Sequence, residues 1–358
     1  MRRLPIFFVI DVSESMIGEP LEQVQDGMTS IIRDLKTDPY ALETAYLSVI
    51  AFAGKAKTLL PLTDVVGFYP PQLGVGGGTS LGAALKHLMR EIDLQIAPTT
   101  PERKGDWKPL IFLFTDGVPT DDYKATMKTW TEKYKSRTNL ICVSFGEEAS
   151  MPVLKELTDS VLLFNNAKDE DYKKFFKWVT ASIKVSSVAV DGGSYGNGQQ
   201  PGMAPTDDSI FTKVEITKTG DNLFDPRVAV FTAKCQSTKR LYLMKYNRVD
   251  MPANIPGMEK MPRSMYRLAG GYPVDDNMYR ELTEAHKSDQ KVNTADLVGY
   301  CSCPCCGNQF GFTMCECGNL FCGVVDKVNT CPWCSRQATY SLSSGGADDD
   351  FDVNRSIG

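Results

Sequence analysis

Nine of the eleven cysteines fall within residues 301–334, in the run CSCPCCGNQFGFTMCECGNLFCGVVDKVNTCPWC. Two segments, CPCCG at 303–307 and CPWC at 331–334, have the C-x-x-C spacing whose turn presents two thiolates to one tetrahedral ion. They predict a zinc centre at Cys303, Cys306, Cys331 and Cys334, although the intervening stretch 307–330 is slightly longer than the usual ribbon spacing. Cys315, Cys317 and Cys322 lie between them and offer a second zinc centre, with Cys301 or Cys305 as fourth ligand. Spacing alone does not divide the nine between one site and two. The paired turns and the hairpin-like middle favour Zn²⁺ over an iron–sulfur cluster, in the role of holding together a segment with little core of its own. The other two cysteines, Cys142 and Cys235, sit in apolar strand-like runs and read as core packing.

A second group of residues offers oxygen instead of sulfur. The apolar run LPIFFVI (4–10) leads straight into DVSESM, with Asp11, Ser13 and Ser15, and PLIFLFT (109–115) leads into TDGVPTD, with Asp116. These are hard donors with no His or Cys beside them, a set suited to Mg²⁺ or Mn²⁺. Two carboxylates leave such an ion net positive, with an exchangeable position open to an incoming acidic side chain. A Mg²⁺- or Mn²⁺-dependent hydrolase using Asp11 and Asp116 is the enzymatic alternative. Against it, the chain has only two histidines, His87 on a helix surface and His286 in a polar segment, and no Rossmann fingerprint. Ligand binding without catalysis is therefore expected.

GVGGGTSLGAAL (74–85) looks like a phosphate-cradling loop, but a Walker loop requires a lysine immediately before its hydroxyl residue. None precedes Thr79 or Ser80, Lys86 falls inside the following helix, and the preceding VVGFYPPQL (65–73) carries two prolines where a strand would be needed.

The elements that must position these residues are legible in residues 1–185. LPIFFVI, AYLSVIAFA (45–53), PLIFLFT and NLICVSF (139–145) are continuous apolar runs typical of strands buried on both faces. Between them run helical stripes: Leu21, Val24, Met28, Ile31, Ile32 and Leu35, and later Tyr172, Phe175, Phe176, Val179 and Ile183. The alternation predicts a doubly wound α/β domain, which puts Asp11 and Asp116 in the crevice beyond the carboxyl ends of its strands.

Beyond about Val190 the pattern changes. DGGSYGNGQQPGMAPTDDS (191–209) reads as a linker, and SIFTKVEIT (209–217), RVAVFTAKC (227–235) and KRLYLMKYN (239–247) alternate like antiparallel strands, the last two joined by a polar QST turn. Residues 250–300 show little pattern beyond a short helix in DDNMYRELTEAHK, and the end reads as a disordered acidic tail. The expected divisions are a metal-binding α/β domain at 1–186, a linker at 187–208, a β-rich region at 209–300, a cysteine-rich zinc module at 301–340 and the tail at 341–358.

Composition narrows the function classes. The 358 residues are 42% hydrophobic and 23% charged with a net charge of −5, an ordinary globular balance that does not suggest a general nucleic-acid binder. A zinc-ribbon nucleic-acid binder is a third reading, but Lys327 is the single lysine in 301–334. MRRLPIFFVIDV is interrupted by Asp11 before it can serve as a signal peptide, and no run approaches transmembrane length. A cytoplasmic protein with reduced thiols and no membrane insertion is expected.

DVSESM matches the DxSxS motif of the von Willebrand factor A family. That family next places a threonine in a glycine-rich loop before a helix, which GGGTSLGAAL supplies as Thr79, and then an aspartate after a central strand, which FTDG supplies as Asp116. The resemblance covers about residues 1–185. It implies a Rossmann-like fold with a metal-ion-dependent adhesion site: Ser13, Ser15 and Thr79 as hydroxyl ligands, Asp11 and Asp116 binding Mg²⁺ or Mn²⁺ directly or through water. The small, mostly-β, zinc-ribbon-like module CPxCG…CxCGxxFC…CPWC that follows it makes the whole resemble the TerY-type proteins of tellurium-resistance and stress-response systems. That resemblance implies an adaptor whose protein partners include a protein kinase and a PP2C-like phosphatase.

Overall fold

A computed structural model of the chain describes residues 2–116, 119–145, 151–163, 169–191, 204, 227–252, 262–284, 290–341 and 350–356. It divides into two compact units, Met1–Leu73 with Thr79–Leu223, and Gly74–Gly78 with Phe224–Gly358. The expected strand at 209–217 lies outside the described residues, as do His286 and most of the expected linker.

In the first unit the strands are β1 (Leu4–Asp11), β2 (Ala45–Phe52), β3 (Ala56–Asp64), β4 (Leu110–Thr115), β5 (Asn139–Ser144) and β6 (Val161–Leu163). They form one sheet in the order β3-β2-β1-β4-β5-β6, in which β3 alone is antiparallel to its neighbour. The chain winds outward from β1 to β3, then crosses back to lay β4 on the other side of β1. The strand order therefore reverses between β1 and β4, which opens a ligand crevice beyond their carboxyl ends.

Every residue of β1 is buried, as its unbroken apolar sequence requires of a strand covered on both faces. On one face Phe7 and Val9 share a core with Leu81, Leu85 and Leu88 of helix α3 (Leu81–Gln95) and Met127 and Trp130 of α4 (Lys124–Lys133). On the other, Phe8 stacks on Phe112, and Phe114 meets the rings of Phe175 and Phe176 from α6 (Asp169–Asp191). Helix α1 (Glu19–Leu35) buries the predicted stripe from Leu21 to Leu35 and packs against α6. α6 runs five residues past the expected end of the domain at 186, into what the composition suggested was linker.

The second unit is built on a sheet of β7 (Val228–Lys234), β8 (Leu241–Pro252), β9 (Pro262–Pro273), β11 (Leu297–Val298), β12 (Phe310–Met314) and β13 (Leu320–Gly323), ordered β11-β9-β8-β7-β13-β12. Strands from the cysteine-rich segment thus share one sheet with those from the described part of the region before it. β13 runs parallel to β7, with Leu320 opposite Ala233 and Phe321 opposite Lys234. The acidic tail also needs correction. β16 (Asp352–Asn354) pairs with β10 (Lys291–Asn293), and Val353 is buried in the core with Phe231 and Tyr246. A single valine among aspartates is too little for a periodic signal, yet it is enough to anchor a short strand once a partner edge is present.

Candidate metal sites

The crevice between β1 and β4 brings four of the predicted oxygen donors, Asp11, Ser13, Ser15 and Asp116, together. Asp11 closes β1 and Asp116 follows β4, and the pairing of β1 with β4 puts both strand ends side by side. Asp11, Ser13 and Ser15 are at most 1% exposed and Asp116 is 7% exposed. Thr115 Oγ1 donates to Asp11 Oδ2 at 2.6 Å, and the Ser13 amide donates to Asp11 Oδ1 at 2.9 Å. The Ser13 and Ser15 hydroxyls are 3.0 Å apart, and Ser15 Oγ donates to Asp116 Oδ1 at 3.0 Å. One hydrogen-bonded chain thus runs from Asp11 through both serines to Asp116.

Thr79 is 2% exposed and sits at the end of the glycine loop, tied to the loop after β4 by a reciprocal pair. Its amide donates to Thr120 Oγ1 at 2.9 Å, and the Thr120 amide donates to the Thr79 carbonyl at 2.8 Å. Next to it, Asp121 Oδ2 accepts from Ser80 Oγ at 2.6 Å and from the Gly82 amide at 2.9 Å, fixing the start of α3. Thr120 and Asp121 were not singled out from sequence; their one signal was a position a few residues past Asp116.

Burial, and then the charge of Asp116, push the Asp11 carboxyl up to about 7, against hydrogen bonds from Thr115 and Ser13 that pull it down. Two buried carboxyl groups in one crevice, with a donor set that is all oxygen, fit Mg²⁺ or Mn²⁺. His87, expected on a helix surface, is half-buried on α3, where its Nε2 lies 2.8 Å from Thr58 Oγ1 and 3.7 Å from Glu91 Oε1. Burial lowers its pKa.

The sulfur donors assemble differently from the expected division. Cys235, Cys303, Cys306 and Cys322 form one cluster, and Cys315, Cys317, Cys331 and Cys334 form a second; within each, the Sγ atoms lie within 4.8 Å of one another. The two C-x-x-C turns therefore belong to different clusters, and Cys301 and Cys305 to neither. Cys305 Sγ instead lies 3.8 Å from the Leu241 carbonyl.

Strand pairing explains the regrouping. The register that puts Phe321 opposite Lys234 carries Cys322 to Cys235, with their sulfurs 3.8 Å apart. Cys315 and Cys317 occupy the turn between β12 and β13, within reach of the 331–334 turn: Cys315 Sγ is 3.6 Å from Cys334 Sγ, and Cys317 Sγ is 3.9 Å from Cys331 Sγ.

Cys235, expected as core packing, is thus the cluster member that sequence reasoning missed. Its turn, CQSTKR, has the backbone of the two C-x-x-C turns. The amide of Cys235 donates to the Arg240 carbonyl at 2.8 Å, as Cys303 does to Asn308 at 2.7 Å and Cys331 to Arg336 at 2.8 Å. In each turn the fifth residue donates back to the cysteine carbonyl with positive φ: Lys239 at 61°, Gly307 at 73°, Ser335 at 63°. Thr238 stands where the other two turns have their second cysteine, and its amide donates to Cys235 Sγ at 3.3 Å. Burial pushes the Cys235 thiol up, but the donors around it, led by Thr238, bring it down to about 6. Cys317 is likewise raised by burial and brought down to about 6, led by Asn319. Each cluster therefore contains one thiol that ionises readily.

Comparison with known proteins agrees with both halves. Residues 6–178 match the von Willebrand factor type A domain, and residues 225–358 match the TerY-C metal binding domain. The chain joins a von Willebrand factor type A domain to a TerY-C metal binding domain. The type A half is similar to inter-alpha-trypsin inhibitor heavy chain H1 of Bos taurus, 26% identical over 160 residues, which cover 43% of this chain and 17% of that protein. It is also similar to an uncharacterised Synechocystis protein, 29% identical over 167 residues, 44% of this chain and 36% of that one. The matched region spans well under half of either relative. Among solved structures, a von Willebrand factor type A protein from Catenulispora acidiphila aligns with a TM-score of 0.39 at 17% identity, covering 51% of this chain and 43% of that one. The SpRpn10 VWA domain aligns with a TM-score of 0.35 at 13% identity, covering 48% and 95%. Among the described residues, no helix is long and apolar enough to cross a membrane.

Proposed function

We propose that this protein is a non-enzymatic, metal-dependent interaction adaptor. The type A domain would hold Mg²⁺ or Mn²⁺ through Asp11, Ser13, Ser15, Thr79 and Asp116. Once bound, the cation would supply a positive centre to which a carboxylate of a partner protein can coordinate. The hydrogen-bonded chain from Asp11 to Asp116 is the observation that carries this reading, because it holds the donors on one crevice wall before any ion arrives. Ser13 and Ser15 contribute neutral oxygens, which leaves the ion's charge available to the partner.

The TerY-C domain would hold two Zn²⁺ ions, one in each cysteine cluster. A tetrahedron with Zn–S bonds of about 2.3 Å has edges of about 3.8 Å. Within-cluster sulfur contacts of 3.6 to 3.9 Å agree with that spacing. A multi-iron cluster would hold its four thiolates farther apart. These ions would be structural, and the folded domain would present a second surface. Such an adaptor suits assembly of a protein kinase with a PP2C-like phosphatase in a tellurium-resistance or stress-response pathway, within a reducing cytoplasm.

Partner capture by the purified full chain in Mg²⁺, compared with chelator, tests this reading. Capture lost in chelator and in Asp11→Ala supports it; equal capture by the variant would refute it. Turnover of a phosphoester or peptide that depends on Mg²⁺ or Mn²⁺ and is lost in Asp116→Ala would favour a hydrolase instead.

A further inference from the structure

The two cysteine clusters share structure. Cys322 of the first cluster follows Cys315 and Cys317 of the second along the chain, so neither cluster can be assembled from a segment that excludes the other. Strand β13 lies between them and serves both. Its Leu320 and Cys322 belong to the core around the first cluster, whereas Phe321, on the opposite face, packs with Cys315 and Cys331 of the second. The indole of Trp333, inside the second cluster's C-x-x-C turn, donates to the Leu320 carbonyl at 2.7 Å.

Gln236 makes a separate link. Its amide donates to Cys322 Sγ at 3.2 Å, and its side-chain oxygen accepts from the Thr330 amide at 3.0 Å, one residue before Cys331. One residue therefore touches a sulfur of the first cluster and fixes the backbone that leads into the second.

We propose that Gln236 is a positioning residue that, together with β13, couples the two metal centres, so that an ion in one raises the affinity of the other. This rests on the reading of both clusters as zinc sites. An ion in the first cluster fixes Cys322 and Cys235, which orders β13 and holds the Gln236 side chain against Thr330. The second cluster then closes around a turn already in place, and by linkage the effect is reciprocal.

The test is a zinc titration of the metal-stripped full chain against a competing chelator, with native mass spectrometry resolving chains that carry no, one and two ions. Gln236→Met keeps the side chain's length but removes the acceptor oxygen, and Gln236→Glu retains it. The expected result is a second stepwise constant lowered about tenfold in Gln236→Met, within the range of ordinary site coupling, and largely restored in Gln236→Glu. In Cys235→Ser, the remaining four-thiol cluster should bind its ion more weakly than in the intact chain. Stepwise constants unchanged by Gln236→Met would overturn the coupling while leaving both zinc sites standing. Failure of the wild-type chain to take up zinc would overturn the zinc reading, and the coupling with it.

Discussion

Ser15 Oγ donates to Asp116 Oδ1 at 3.0 Å and so joins the loop after β1 to the loop after β4, 101 residues further along the chain. The bond crosses the point where the sheet reverses its winding, and it puts a neutral hydroxyl against a carboxylate in a crevice that already holds Asp11. The side chains of the crevice are thus linked to one another in the absence of any ion.

A cation there should stabilise the type A domain by mass action. Mg²⁺ at a hundredfold excess over its dissociation constant would add about 2.7 kcal/mol. Thermal unfolding followed with and without Mg²⁺ should show this gain for the wild type and none for Asp116→Ala.

Zinc removal should act on the other domain. Structural zinc sites contribute about 10–16 kcal/mol to small metal-bound folds, which equals or exceeds the stability of a typical domain. Hydrogen exchange after chelation should show β7 and β13 losing protection while β1 and β4 keep theirs. Unchanged protection in β7 would contradict a structural role for the metal.

The contact between α1 and α6 can be probed at one position. A methyl group at Gly27 would overlap the ring of Phe176, which is itself held against Phe114 and Phe175. Gly27→Ala should therefore cost about 1–3 kcal/mol through overpacking, read as a lower denaturant midpoint with no change in zinc content.

His87 sets a pH dependence. Burial lowers its pKa, Glu91 opposes and Arg90 lowers it further, while its Nε2 shares a hydrogen bond with Thr58 Oγ1. The unfolded chain then binds the proton first, so this residue's contribution to stability is complete above about pH 6.5 and is lost as pH falls below it. His87→Gln should flatten the decline in denaturant midpoint between neutral pH and the mildly acidic range. An identical decline in wild type and variant would exclude this source.

That Asp11 and Asp116 share a crevice was legible in sequence, because each directly follows an apolar run, and a doubly wound sheet brings such strand ends together. The sulfur sites were legible as residues but not as pairs. The parallel register of β7 and β13 decides which cysteines meet, and it joins Cys235 to Cys322, 87 residues apart. Cys235 also lacked a second thiol in its turn, where Thr238 stands instead, so a metal-binding backbone was hidden in an ordinary strand connection. Thr120 and Asp121 were invisible for a related reason: their partners, Thr79 and Ser80, lie on a distant loop that only the fold brings near.

The proposed cation site of the type A domain can be read out by Mn²⁺ titration of the zinc-loaded full chain, followed by electron paramagnetic resonance. Mn²⁺ prefers oxygen to thiolate donors, so the cysteine clusters do not compete for it. One ion bound per wild-type chain and none by Asp11→Ala is the expected result; equal uptake by the two proteins would rule out a cation held by Asp11.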